Sequence, residues 1–333
     1  MQRIAMLSFA HVHARGYARH IVDHPDLEMT CVWDDDSERG QTAATQFDVP
    51  FESDLEATLN RDDVDAVVVN ATTNIHRDVI LTAVNHGKHV FTEKALAVNL
   101  AEAREITAAV QASDIKFMIS LPSRIRPETL FAREVIDKGW LGDITLMRAR
   151  VAHSAALDKW FKGGSLWFGD EELAGGGSLF DLGCHTVDIM RWLLGPPASM
   201  VAKIQNYSGA YDIDDQAIAV AEFKSGAMGI LDVSWLHRAG PNHIEIYGTE
   251  GYLGWDHRPG TVQIQSRKLA ADGITGTITP DRLPNALPMP MDQWVTAIET
   301  DSSMTITVED GLNLNEMLEG IYGSARSGRN WEF

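Results

Sequence analysis

Two short stretches of this 333-residue chain carry residue types suited to moving protons. The first is Gly175-Gly176-Gly177-Ser178-Leu179-Phe180-Asp181-Leu182-Gly183-Cys184-His185. A helix from Leu179 onward puts Asp181 and His185 four residues apart on one face, where the carboxylate can orient the imidazole and tune it as a general base. The glycine run lets backbone pass close to a ligand. The second stretch is Glu93-Lys94. A lysine in a cleft polarises a carbinol or carbonyl oxygen, and its pKa falls on burial. Each stretch has a plainer reading as well: an ion pair on a helix surface, and a solvated charge.

The elements that must present these residues follow from the hydropathy pattern. Apolar runs at residues 3–7, 29–33, 66–69, 89–92 and 117–120 predict buried strands, and 17–22, 77–85 and 100–111 read as helices between them. Such alternation implies a doubly wound parallel sheet, an α/β domain whose ligands lie beyond the carboxyl ends of the strands. Glu93-Lys94 stands at one of those ends. After Pro122 come a helix (128–138), a strand (144–151), a second helix (179–194) and successive β-like runs at 216–223, 228–235 and 243–247. Strands that follow one another predict an α+β domain with a large, open-faced, mostly antiparallel sheet. The expected division is 1–122 and 123–333, with the open sheet face serving a homo-oligomer. The Gly-, Pro- and Thr-rich segment 267–290 predicts a surface loop or extended arm.

In a dinucleotide-binding turn the first strand runs into Gly-x-Gly-x-x-Gly, because pyrophosphate must approach bare backbone. Here Ser8, Ala10 and His13 hold those positions. Ser8 and Ala10 are small enough for close approach, and Ser8, His11 and His13 offer side-chain donors; a nucleotide-free turn with two surface histidines is the alternative. Asp34, after the second strand, is placed to accept ribose hydroxyls and repel a 2′-phosphate, which favours NAD(H) and leaves NADP(H) open because Arg39 is near. Thr72, Asn74 and His76 follow the strand 66–69 and can reach the nicotinamide half, and Thr72 or Asn74 can also cap the next helix.

Composition narrows the partners. A net charge of -19 argues against nucleic acid and anionic membrane, and points to a small molecule. Two cysteines far apart, Cys31 and Cys184, make a disulfide framework unexpected, and no leader or spanning segment is read, so a soluble cytoplasmic protein is expected. His153, Trp160, Trp167 and His237 are candidates for substrate contact, since aromatic and imidazole groups suit a polyol, although each also reads as a structural residue. No Cys/His cluster has zinc spacing, so no catalytic metal is expected.

Glu93-Lys94 after a strand, followed by Gly-Gly-Gly-x-x-x-Asp-x-Gly-x-His, resembles the Gfo/Idh/MocA oxidoreductases, which include glucose-fructose oxidoreductase and inositol dehydrogenases. The likeness spans nearly the whole chain, including Gly142-Asp143-Ile144, Ile246-Tyr247-Gly248-Thr249-Glu250-Gly251 and the closing Ser324-Ala325-Arg326-Ser327-Gly328. It implies an N-terminal Rossmann domain, a C-terminal open-faced sheet, bound NAD(H) or NADP(H) beside Glu93 and Lys94, a sugar or cyclitol substrate, and a homodimer or homotetramer. Carried over, the family's catalytic lysine, aspartate and histidine fall on Lys94, Asp181 and His185, and a frequent arginine falls on Arg124, which reads equally as a contact to cofactor or substrate and as a salt bridge at the domain boundary. The departures are the replaced glycines, Ala95 for a proline and Pro122 for an asparagine. A lyase or glycosidase using transient oxidation, and a non-catalytic nucleotide or sugar binder, stay open at this point.

Overall fold

A computed structural model describes residues 1–256, 258 and 260–333. The chain divides into two compact units. The first comprises Met1–Ser120, Phe161–Gly175 and Met289–Asn315; the second comprises Leu121–Trp160, Gly176–Pro288 and Glu316–Phe333. Two segments that a single boundary after residue 122 assigns to the second domain thus pack within the first unit.

The first unit is built on strands β1 (Gln2–Leu7), β2 (Leu27–Trp33), β3 (Phe51–Glu52), β4 (Ala66–Val69), β5 (His89–Thr92) and β6 (Phe117–Ile119). They form one sheet in the order β3-β2-β1-β4-β5-β6, every pair parallel. This is the doubly wound Rossmann arrangement. β4 reads Ala-Val-Val-Val and is buried throughout, as a strand covered by helices on both faces must be. Helix Ala14–Asp23 buries Ala14, Ala18 and Ile21. Helix Ser37–Phe47, not expected from the sequence, starts where the Asp36 carboxylate accepts the N–H groups of Glu38 and Arg39 at 3.0 Å.

The second unit holds β7 (Ile144–Ala152), β8 (Pro197–Gln205), β9 (Gln216–Phe223), β10 (Met228–Ser234), β11 (His243–Gly248), β12 (Gly251–Asp256), β13 (Gln263–Ser266) and β14 (Trp331–Glu332). The sheet order is β13-β12-β11-β7-β10-β9-β8-β14, antiparallel except for β7 beside β10. β9 alternates in burial, with Ala217, Ala219, Ala221 and Phe223 inward. Helix Cys184–Leu194 lies close to β10, where Gly229 leaves it room: a Cβ there would meet the Met190 sulfur at 2.5 Å. Segment 267–290 opens with a short helix, Arg267–Ala271, capped by Ser266, and Ile278 then bridges back to Ile264, so only part of it is the expected loop. Among the described residues no helix is long and apolar enough to cross a membrane.

Candidate active site

Within the first unit the sequence-predicted residues gather at the carboxyl ends of β1, β2, β4 and β5. Ser8 takes φ 70, so the turn after β1 keeps the left-handed geometry for which glycine is the usual choice. Ala10 is buried, and its carbonyl accepts the Trp167 indole N–H at 3.0 Å. Trp167 therefore packs beneath the β1 turn, against His11 and Phe168, and belongs to the first unit with the nucleotide-turn residues.

Asp34 is 2% exposed and already engaged. It accepts the Phe9 N–H at 2.8 Å, the Asp36 N–H at 3.0 Å and the Arg39 guanidinium, from Nε at 3.0 Å and Nη2 at 2.5 Å. Arg39 also reaches Ser8 Oγ at 3.2 Å and Asp35 at 2.8 Å. The carboxylate expected at a ribose thus braces the turn, and Arg39 lies across it.

Neither Thr72 nor Asn74 caps a helix through its side chain; the Thr72 hydroxyl donates to Asn74 Oδ1 at 2.7 Å. His76 lies behind the loop surface, 1% exposed, with Nδ1 3.1 Å from the Ala95 carbonyl and Nε2 3.2 Å from that of Ala71. Burial depresses its pKa against the pull of those carbonyls. His76 ties the loop after β4 to the loop carrying Lys94, which places its influence on a ligand through the loops it holds.

Glu93 and Lys94 are 1% and 7% exposed, and the Lys94–Ala95 peptide is cis. Glu93 Oε2 accepts the Lys94 N–H at 3.2 Å. Glu93 Oε1 lies 2.9 Å from His13 Nδ1 and accepts the Tyr17 hydroxyl at 2.5 Å, while Tyr17 Oη sits 2.9 Å from Ser120 Oγ. Burial by itself would raise the Glu93 pKa, but His11, His13 and Lys94 outweigh it and hold the carboxyl well below the usual carboxylate range. Burial and the Glu93 charge push the Tyr17 phenol well up.

Within the second unit, Asp181 and His185 stand on a continuous stretch whose first turn is not α-helical. Leu179–Gly183 is a π-turn and the α-helix begins at Cys184, so the two residues are half-buried on adjoining turns of different pitch. The glycine run before them approaches protein rather than leaving open space for a ligand. A Cβ on Gly176 would lie 2.3 Å from Tyr322 Oη, and one on Gly177 2.0 Å from the Asp214 carbonyl oxygen. The buried Asp214 carboxylate accepts the N–H groups of Gly177 (2.8 Å) and Leu179 (3.2 Å) and the hydroxyls of Ser178 (3.0 Å) and Tyr322 (2.7 Å). This clamp sets the position of the turn that bears Asp181.

His185 lines a cavity of about 540 Å³ in the second unit, with His153, Arg126, Glu128, Asn242 and Asp256 as polar neighbours and Leu182, Ile189 and Trp255 as apolar ones. The His153 ring stacks on Trp160 at 4.6 Å. His237 lies outside the lining, its Nδ1 2.8 Å from Arg150 Nη2. Arg124 is 4% exposed and pairs with Asp188 through Nε at 2.9 Å and Nη2 at 2.6 Å, a buried ion pair inside the second unit. Arg126, Glu128, Asn242 and Asp256 had no sequence signal, because they come from three separate segments, the start of helix Pro127–Asp137 and the neighbourhoods of Asn242 and Asp256, that meet only in the fold.

Comparison with known proteins accords with this geometry. Residues 4–121 match the oxidoreductase family with an NAD-binding Rossmann fold, and residues 129–254 match the GFO/IDH/MocA C-terminal domain. The chain belongs to the GFO/IDH/MocA oxidoreductases, and its first unit is their NAD-binding fold. It is 27% identical to 1,5-anhydro-D-fructose reductase of Ensifer adhaerens over 298 residues, covering 86% of this chain and 85% of that protein. It is also 27% identical to scyllo-inositol 2-dehydrogenase (NAD(+)) of Bacillus subtilis (strain 168) over 320 residues, covering 90% and 88%. Among solved structures, GenD2 from gentamicin A biosynthesis in complex with NAD superposes with a TM-score of 0.82 at 27% identity, covering 100% of this chain and 97% of that one.

The first unit fits a dinucleotide in its backbone: the left-handed turn at Ser8 and the small Ala10 preserve what the glycine motif supplies, and a carboxylate stands after β2.

Proposed function

We propose that this enzyme transfers a hydride between NAD(H) and a hydroxyl- or carbonyl-bearing carbon of a sugar, inositol or related polyol. The observation that carries the reading is His185, on the first turn of the α-helix that follows the π-turn, lining a cavity with polar walls and one aromatic face, in a chain whose relatives are named as reductases and dehydrogenases of such compounds. Bound NAD⁺ supplies the hydride acceptor. His185 takes the hydroxyl proton, Asp181 orients the imidazole, and Lys94 stabilises the oxygen as it becomes a carbonyl. Ser8, Ala10, His11, His13, Asp34, Thr72, Asn74 and Glu93 shape the cofactor side. His153 and Trp255 present a ring face and a hydrogen-bonding edge to a polyol.

We assign the division of labour by unit, cofactor to the first and substrate to the second, and the compartment to a reducing cytoplasm, in keeping with two buried thiols. The second sheet supports a homodimer or homotetramer. On its outward face Val201 pairs with Val220 and Val220 with Ile230, a row of apolar side chains across three strands, flanked by exposed Ile218 and Met228.

The test is binding of NAD, NADH, NADP and NADPH by thermal shift, followed by reduced-nicotinamide absorbance with a panel of sugars and inositols. Stabilisation by a dinucleotide and its reduction by a polyol are expected. Absence of dinucleotide binding would reject the reading.

A further inference from the structure

Three metal-ligating side chains converge in the first unit, apart from the proton chemistry assigned to Lys94, Asp181 and His185. His11 and His13 stand on the turn after β1, and Glu93 stands at the end of β5. One donor atom from each lies within 4.8 Å of the other two. His13 Nδ1 is 2.9 Å from Glu93 Oε1, and His11 Nε2 is 3.8 Å from Glu93 Oε2. Metal–ligand distances of about 2.0–2.2 Å in a tetrahedral site separate adjacent ligands by about 3.4 Å, and these two distances straddle that value.

The donors are supported from behind. The Tyr17 hydroxyl holds Glu93 Oε1, and the His11 ring is bounded by Phe168 at 5.4 Å and Trp167 at 6.1 Å between centroids. His11 and Glu93 are buried, whereas the His13 side chain is 57% exposed, which gives an ion a way in and leaves a coordination position facing solvent. Two imidazoles with one carboxylate form a donor set for Zn²⁺, Co²⁺, Mn²⁺ or Fe²⁺ rather than for Ca²⁺ or Mg²⁺, which take oxygen ligands.

We propose that His11, His13 and Glu93 bind one divalent transition-metal ion of the zinc class. The ion-free state holds the cluster together by a carboxylate–imidazole pair, and the ion replaces that pairing with three coordinate bonds. His11 Nδ1 accepts the His13 N–H at 3.3 Å, so the ring proton resides on Nε2 before the ion arrives. Binding moves that proton to Nδ1 and gives up this one long hydrogen bond. His13 coordinates through its neutral ring.

The experiment uses the full chain, stripped with EDTA and titrated with ZnCl₂ by calorimetry with no dinucleotide present, so that its outcome is independent of the cofactor reading. One ion per chain is expected. His13→Ala, at a side chain that is 57% exposed, should weaken binding by more than about 100-fold, beyond the loss typical of a supporting residue, with the melting temperature of the ion-free variant recorded beside it to separate ligand loss from unfolding. His20→Ala, at a histidine of the same unit paired with Asp292, should leave binding unchanged. Titration with Co²⁺ gives a second readout: visible ligand-field bands should appear in the parent chain and vanish in Glu93→Gln. No uptake by the parent chain, or uptake unaltered in His13→Ala, overturns the proposal.

Discussion

The Tyr322 hydroxyl donates to the Asp214 carboxylate at 2.7 Å, and this pair forms the support on which the backbone of Gly176 and Gly177 lies. Gly177→Ala drives a methyl group to 2.0 Å from the Asp214 carbonyl oxygen. We expect a loss of about 1–3 kcal/mol of stability, as for other overpacked sites. Turnover should fall with it, because the displaced turn carries Asp181. Gly164→Ala, with nothing within 4 Å of the added carbon, serves as the control. Denaturant unfolding of both variants checks this, and equal stability of the two would contradict the clamp.

His185→Ala should lower kcat by about 10²–10⁴-fold, the contribution of a positioned acid–base group, and leave NADH affinity within error of the parent. Steady-state kinetics with NADH fluorescence titration separates the two quantities. Near-normal turnover would remove His185 from the mechanism.

Asp34 and Arg39 form a bidentate pair beside the β1 turn. In Asp34→Ala the guanidinium is released and becomes available to a 2′-phosphate, while the ribose loses its acceptor. NAD affinity should fall by about 10- to 100-fold, the value of one or two hydrogen bonds to a charged group, and NADP affinity should fall less or rise. An unchanged ratio of the two dissociation constants would show that another group reads the ribose.

Asp188→Asn leaves Arg124 as a buried cation without its carboxylate. Removal of one partner from such a pair costs about 3–5 kcal/mol, and the melting temperature should fall accordingly. A melting temperature equal to that of the parent would show that the site admits water.

His76 links stability to pH. Its folded pKa is depressed by burial, so the unfolded chain takes up a proton first as the solution is acidified. The contribution is fully present above the unfolded value of about 6.5 and is lost as pH falls through the folded value. Urea unfolding at about pH 7.5 and about pH 5.5 should show lower stability at the acid value, and His76→Gln should flatten the difference. Equal slopes in parent and variant would assign the acid sensitivity elsewhere.

Much of the architecture was written in local pattern. The all-apolar run Ala66–Val69 and the alternating Gln216–Phe223 each specify strand type from their own residues, because burial on two faces or one face imposes a continuous or a period-two signal. Helix Ser37–Phe47 escaped this reading because its sequence, Ser-Glu-Arg-Gly-Gln-Thr-Ala-Ala-Thr-Gln-Phe, buries only Gly40, Ala43 and Ala44. Small residues give little hydrophobic contrast, so the Asp36 cap was its strongest mark.

The sequence by itself determined the doubly wound first sheet, the mostly antiparallel second sheet and the candidate trio Lys94, Asp181 and His185, since these depend on periodicity and on motifs only a few residues long. Only the tertiary structure decided that the glycine run packs on Asp214 and Tyr322, that Arg124 is consumed by Asp188, and that Arg126, Glu128, Asn242 and Asp256 share a cavity with His185. It alone brought Glu93 to His13 across 80 residues of chain. Hydrogen bonds and coordination act over about 3 Å, whereas sequence pattern reports only neighbours along one helix or strand; which distant side chains meet is settled by how the elements pack.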